Sequence, residues 1–382
     1  MPDPRIMLVD PSGRGGLVTY TGLVARALHA ANADVAVLCS RLLNPRDYAV
    51  PFLARMPNLL FGSEQPEGLR LYKHRASQWL GGAAAVVRSA RALEPNVVHF
   101  QHAINRRLDH RLLQLVGRRA ALVWTAHDVL PHEATRRDGE RFARIYRSVD
   151  AVITLSEPAA DALRDLCGVE AAVLEHPVDD TIAPVDQATA RNKLGLPPSE
   201  RLFGALGFIR EYKGYDLLAD TWEALGADAP RLLVMGEVHS NAEQALVERL
   251  GRSARVDLRL GFASESALRL AVSACDALLL PYAAGSDSGL LHLGRALGTP
   301  VIASDAVQLA SSVRTTQSGL VVSRSVAAWA SALRGPLPQP PMRPPSMLEA
   351  GDGHLEVYSA ALRRAIEHRG VGADQLAVSR TV

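Results

Sequence analysis

Short apolar runs alternate with longer stretches of helical period along most of this chain. Runs at 6–9, 35–39, 69–72, 97–100, 122–125, 152–155 and 172–174 have the length of buried strands, and helix-period segments at 17–31, 83–93, 106–116 and 158–167 separate several of them. Unbroken apolar runs mark strands covered on both faces, so this pattern predicts a parallel sheet flanked by helices. The pattern then starts again. A second set of strands is predicted at 202–206, 232–235, 258–260, 277–280, 301–303 and 320–322, with helices at 216–225, 242–250 and 288–297. The expected fold class is α/β, with two doubly wound parallel-sheet domains in succession.

The joint falls in 176–200, which is rich in Pro, Asp and Thr, and it sets domains at 1–176 and 177–335. From Arg334 to Pro345 so many prolines remove N–H donors that neither helix nor inner strand forms, and 336–353 reads as a connection. A helix is expected at 354–369, with Leu355, Tyr358, Leu362 and Ile366 on one stripe that must pack on something. Residues 370–382 read as a flexible tail. Segment 41–61, apolar but broken by arginines and prolines, reads as a loop, with a face for a hydrophobic or lipid-linked acceptor as the less common alternative.

Composition narrows the function. An apolar share of 48% in 382 residues supplies two cores, and 42 basic against 40 acidic residues leave a net charge of +2, with no excess to hold a nucleic acid. No apolar run approaches the roughly 20 residues of a membrane span, so membrane contact is expected to be peripheral at most. Cys39, Cys167 and Cys275 are far apart and form no CxxC pair, as suits a reducing compartment. A strand-like segment starts at Arg5, so no signal peptide is expected and the location reads as cytoplasmic.

Three strand–helix junctions carry candidate chemistry. The first strand ends in Asp10-Pro-Ser-Gly-Arg-Gly-Gly16, where Gly15 and Gly16 let backbone approach a ligand at a helix N-terminus. The spacing is not GxGxxG, and a tight β–α turn explains it equally well. At the second junction Arg210 and Lys213 lie between Gly207 and Gly214. A guanidinium fork and an ammonium three residues apart can converge on a diphosphate, although spacing alone leaves a solvated loop pair as the commoner arrangement. The third runs from Pro281 to His292, where Ser288, Gly289 and Leu290 open a helix whose amides suit an anion, or where Ser286 or Asp287 simply caps it. Histidines His99, His102, His127 and His132 follow two strands of the first half, with Asp128 and Glu133. Ligand contact at the strand ends, or structural hydrogen bonding, is a better reading of them than a metal site.

Taken together, Gly15-Gly16, Ser156-Glu157, Arg210-x-x-Lys213-Gly214, Ser288-Gly289 and Gly298-Thr-Pro-Val-Ile-Ala-Ser304 resemble, in order, the retaining glycosyltransferases of the GT-B fold, family 4 (group 1). The likeness covers most of 5–330. It implies two Rossmann-like domains facing a cleft and transfer, with retention, of a hexose from a nucleoside diphosphate sugar to an acceptor hydroxyl on a glycan, a lipid-linked sugar or a small natural product. Arg210 and Lys213 would stabilise the leaving diphosphate and His127 matches the family's cleft histidine. Gly15, Gly16, Gly207, Asp287, Ser288, Gly289 and Leu290 would bind the donor; Tyr20, His102 and Asp128 would meet the acceptor. The resemblance implies no metal and no cofactor beyond the nucleotide sugar as co-substrate. It also implies that the last helix crosses back to the first domain. One departure stands out. The family's two glutamates, eight positions apart, fall on Gly285 and Leu293 or on Ser286 and Gly294, and neither register supplies an acid. A non-catalytic partner subunit, or an epimerase or hydrolase on the same fold, is the alternative.

Overall fold

The computed structural model describes residues 4–12, 16–40, 52–56, 68–130, 135–178, 185–238, 240–284, 288–341 and 344–369. They form two compact units, the first made of Met1–Pro177 with Pro345–Val382 and the second of Val178–Pro344. Unit 1 opens with β1 (Arg5–Asp10), α1 (Gly16–Ala30), β2 (Asp34–Ser40), β3 (Phe52–Met56), α2 (Gly68–Leu93) and β4 (Val97–Phe100). It continues through α3 (Asp109–Val116), β5 (Ala121–Ala126), α4 (Arg136–Tyr146), β6 (Ala151–Thr154), α5 (Glu157–Cys167) and β7 (Ala171–Val173). Unit 2 runs α6 (Gln187–Lys193), β8 (Leu202–Leu206), α7 (Tyr215–Leu225), β9 (Arg231–Gly236), α8 (Asn241–Leu250), β10 (Val256–Leu260) and α9 (Glu265–Ala274). It ends with β11 (Ala277–Leu280), α10 (Gly289–Leu297), β12 (Val301–Ser304), α11 (Val307–Thr315), β13 (Gly319–Val322) and α12 (Val326–Arg334). The last helix, α13 (Met347–Arg369), returns to unit 1.

Both sheets are parallel. Strand order is β3-β2-β1-β4-β5-β6-β7 in unit 1 and β10-β9-β8-β11-β12-β13 in unit 2. Each order reverses once, between β1 and β4 and between β8 and β11. In open α/β sheets ligands collect at the carboxyl ends of the strands beside such a reversal. Both glycine-bearing junctions of the sequence lie there. The inner strands β1, β4, β5, β8 and β11 are buried almost throughout, which is why they read as unbroken apolar runs.

Several expectations need correction. The apolar run at 69–72 is not a strand but part of α2, since a short apolar run has no period that separates strand from helix. Within 41–61, read as a loop, Phe52–Met56 pairs with β2 as an edge strand, and the register shifts at Cys39/Ser40. The 176–200 joint contains α6, capped by the Asp186 carboxylate, which accepts from Thr189 N at 3.0 Å. Buried Arg191 ties α6 to unit 2 through Ala274 O, Pro198 O and the Asp276 carboxylate.

The last helix starts at Met347 rather than 354. Gly351 and Gly353 argue against helix in isolation, but packing overrides propensity here. A Cβ on Gly351 would lie 2.2 Å from Ala27 O of α1, so the glycine permits the close crossing of the two helices. Of the expected stripe, Tyr358 and Leu362 are buried and Leu355 partly so, whereas Ile366 is exposed and Ala361 and Ala365 fill the contact. Gly351→Ala should accordingly force α1 and α13 apart. Overpacking of this kind costs about 1–3 kcal/mol, and a calorimetric scan should show a lowered melting temperature.

Candidate functional site

In unit 2 the site grows from the ends of β8 and β11. After β8 the chain stays in register with β9, since Gly207 N donates to Met235 O at 2.8 Å and Ile209 N to Glu237 O at 2.9 Å. Arg210 is extended, and one 3-10 turn, Glu211–Lys213, follows it. Gly214 then takes φ +77°, and a Cβ there would stand 1.9 Å from Pro281 O, so no other residue fits between the two loops. Ala283 N donates to Tyr212 O at 2.7 Å, which clips the loop after β11 to the loop after β8.

This junction brings Lys213, Gly207, Ser288 and Leu290 together. A Cβ on Gly207 would meet Lys213 Nζ at 3.6 Å and Leu290 Cδ1 at 3.7 Å. Lys213 Nζ also sits 5.6 Å from the centre of the Tyr282 ring. Burial pushes the Lys213 pKa down, and the Arg210 charge adds to this against the opposite effect of Tyr212. Neither cation has a carboxylate partner among the described residues. An anion placed here would relieve the cost of the buried ammonium. The N-cap of α10 is Ser288, not the expected Ser286 or Asp287, and its side chain makes no cap bond. Its hydroxyl instead meets the Tyr282 hydroxyl at 3.1 Å. The first amides of α10, from Gly289 and Leu290, precede the first intrahelical acceptor and add the positive end of the helix dipole. Asp287 lies outside the described residues, as do Ser286 and Gly285. At Gly294 a Cβ would come within 2.7 Å of Thr299 O, leaving no room for an acid on that helix position.

In unit 1 the corresponding edge is built from β1, β4 and β5. The Asp10 carboxylate is buried at the end of β1 and accepts from Ser12 N at 2.8 Å, from the Ser12 hydroxyl, and from Thr21 Oγ1 at 2.8 Å. These bonds fix the entry of the glycine-bearing turn and the first turns of α1. Gly16 opens α1, and Gly15 lies outside the described residues. Tyr20 is buried against His127, with ring centres 4.5 Å apart and planes at 87°, and against His176 at 5.0 Å. His102 and Asp128 are half-buried on the same edge. Burial lowers the His102 pKa, while Asp10 and Asp128 pull it up.

His99 stands apart from this group. Its ring nitrogens meet the Tyr358 hydroxyl at 2.8 Å and Thr125 Oγ1 at 2.7 Å, which leaves neither for a metal. Among the described residues no three His, Cys, Asp or Glu side chains gather as a metal site. His132 and Glu133 lie outside them. Sequence reasoning missed Asp10 and Tyr282 as parts of the two edges. Asp10 ends an apolar strand next to glycines, a signal that was available; the Tyr282–Ser288 contact had none.

Comparison with known proteins gives the family and the fold. The sequence model described as Glycosyltransferase Family 4 matches residues 14–181, and that described as Glycosyl transferases group 1 matches residues 200–337. The chain belongs to the family 4, group 1 glycosyltransferases. Its two Rossmann-like units share the GT-B fold with solved structures. Sucrose-phosphate synthase from Thermosynechococcus elongatus superposes with a TM-score of 0.67 at 16% identity, over 98% of this chain and 100% of that one. Anabaena HepE, crystallised with UDP and glucose, gives 0.66 at 17% over 95% of each. Among curated relatives, the GDP-mannose:glycolipid 4-beta-D-mannosyltransferase of Xanthomonas campestris is 29% identical over 50% of this chain. The D-inositol 3-phosphate glycosyltransferase of Nocardia farcinica is 30% identical over 68% of it. The chain spans 51% and 65% of the lengths of those two relatives. Among the described residues of this glycosyltransferase-family chain, no helix is long and apolar enough to cross a membrane.

Proposed function

We propose that the chain transfers a hexose from a nucleoside diphosphate sugar to an acceptor hydroxyl without a metal ion. The observation that carries this reading is the meeting of the Lys213 ammonium, the bare backbone at Gly207 and the N-terminus of α10. As the bond from the anomeric carbon to the diphosphate breaks, negative charge grows on the leaving group. Lys213, Arg210 and the α10 amides offer it preformed positive charge, and each charge-assisted hydrogen bond contributes about 1.5–3 kcal/mol. His102, Asp128 and His127 are assigned to the acceptor side, whereas Tyr20, expected there from the sequence, is buried behind His127 with its hydroxyl out of reach of an acceptor.

With retention, the acceptor oxygen bonds to the anomeric carbon and its proton passes to the departing phosphate oxygen. A second reading, inversion, draws on the 4-beta linkage in the name of the Xanthomonas relative. In that case the proton goes to a side chain, and His102, whose imidazole feels both Asp10 and Asp128, is the group suited to take it. For an α-linked donor, the anomeric coupling in the product's NMR spectrum separates the two. The relatives' names recommend UDP- and GDP-sugars as donors, with a glycolipid and an inositol phosphate as acceptors. Free nucleoside diphosphate formed only with acceptor is the expected result. Tight donor binding without turnover would make the chain a binding subunit instead. Transfer should also persist in excess chelator, because cationic side chains take the place of a metal. Activity that vanishes with chelator and returns with a divalent ion would contradict this.

A further inference from the structure

The buried side of α13 carries a histidine–tyrosine cluster that the transfer reading does not use. His354 and Tyr358 come from α13, His99 and Gln101 from the end of β4, and Thr125 from β5. The His99 and His354 ring centres are 6.3 Å apart, and the Tyr358 ring lies 5.6 and 6.1 Å from them. His354 Nδ1–H donates to Ala350 O at 2.8 Å. That bond places the ring proton on Nδ1 and leaves Nε2 as a bare acceptor. Nε2 is buried and has no hydrogen-bond partner among the described residues.

No described carboxylate offsets a charge at this point. Toward the cluster, α1 contributes Tyr20, and the chain after β5 contributes His127. Arg26 and His29 are the charged or titratable groups further along α1. On α13 itself, Asp352 and Glu356 are exposed on the other face. Asp150 is engaged at the far end of the helix by Arg364 and Arg369. Asp10 is engaged by Ser12 and Thr21.

We propose that this cluster is a proton-operated latch, in which neutral His354 and His99 let α13 seat on unit 1 and protonation of His354 works against the seat. A proton on Nε2 would place a cation in an apolar pocket with no acceptor and 6.3 Å from a second imidazole. Burial already holds His354 at about 4 and His99 well below the usual histidine range, the latter also through the charges of His354 and His127. The released helix would return His354 to its ordinary value of 6.5. The folded value is therefore depressed for a base, so the seat is fully stable above pH 6.5 and weakens as pH falls towards 4. Between pH 7.5 and 5 the His354 proton alone shifts the opening equilibrium by about 30-fold.

Hydrogen exchange on the full chain tests this. Protection factors, corrected for intrinsic exchange, are compared at pH 7.5 and 5 for α13 and for α7 of unit 2. In the wild type, α13 protection should fall about 30-fold while α7 holds. In His354→Leu and His354→Gln, neither of which can take the proton, the fall should shrink by most of that factor, leaving only what His99 adds. A wild-type α13 that keeps its protection at pH 5 overturns the latch. So does a loss shared equally by α7, or a variant with the wild-type acid response.

Discussion

Arg210→Ala and Lys213→Ala are each expected to lower turnover about 100-fold, about 2.7 kcal/mol of transition-state stabilisation. The two side chains leave the core of unit 2 untouched, since β8, α7 and their neighbours are packed by Phe203, Leu218 and Trp222 instead. The melting temperature should therefore hold while turnover falls. Lys213 should show the larger loss. Its amine is the one packed against Gly207 and the Tyr282 ring, and burial already disfavours its charge until an anion arrives. Removal of charge that acts mainly on the leaving group should appear in turnover more than in the Michaelis constant. Near-normal turnover in both variants would end the assignment of these residues to the diphosphate.

A chain ending at Pro336 is expected to lose the fold of unit 1. Such a truncation removes Met347, Tyr358, Leu362, Ala361 and Ala365 from the unit's buried clusters. The three larger side chains each contribute about 1.5–3 kcal/mol by burial. Their loss together approaches the 5–15 kcal/mol that holds a typical domain folded. Arg369 leaves as well, with its bonds to Gly117 O, Ala120 O and the Asp150 carboxylate. Unit 2 keeps its own cores, so calorimetry should lose one transition and retain another. Truncated protein that melts and turns over like the full chain would show that α13 is a bystander.

The parts of the fold that were legible are those where burial alone decides. Leu202–Leu206 and Ala277–Leu280 are buried on both faces, and their apolar runs mark them to the residue. Helix ends set by tertiary contact were not legible. The first turns of α13 carry Gly351 and Gly353, and the close approach of Ala27, a long-range contact, is what requires glycine at 351. The edge strand β3 is held by its pairing with β2, a long-range contact that composition does not reveal. The candidate site divides in the same way. Arg210, Lys213, Ser288 and Gly289 could be picked out because cations, serine and glycine at strand–helix junctions have a local chemical meaning. The clip from Ala283 to Tyr212, the Tyr282 ring under Lys213 and the anchoring of Ser12 and Thr21 by Asp10 depend on which loops fold together. His99 shows how the alternatives for a histidine divide only in the fold. A histidine at a strand end resembles a site residue, yet one of its nitrogens meets Tyr358 of α13 and the other Thr125 of β5.

The most direct measurement is calorimetric titration of the wild type and Lys213→Ala with UDP, GDP and the matching monophosphates, in buffer containing excess chelator. If Lys213, Gly207 and the α10 amides form a diphosphate site, one of the two diphosphates binds the wild type more tightly than its monophosphate, and Lys213→Ala loses at least about 10-fold in that affinity, roughly 1.4 kcal/mol. Equal affinity for the monophosphate and the diphosphate, or an affinity unchanged by Lys213→Ala, would contradict the account.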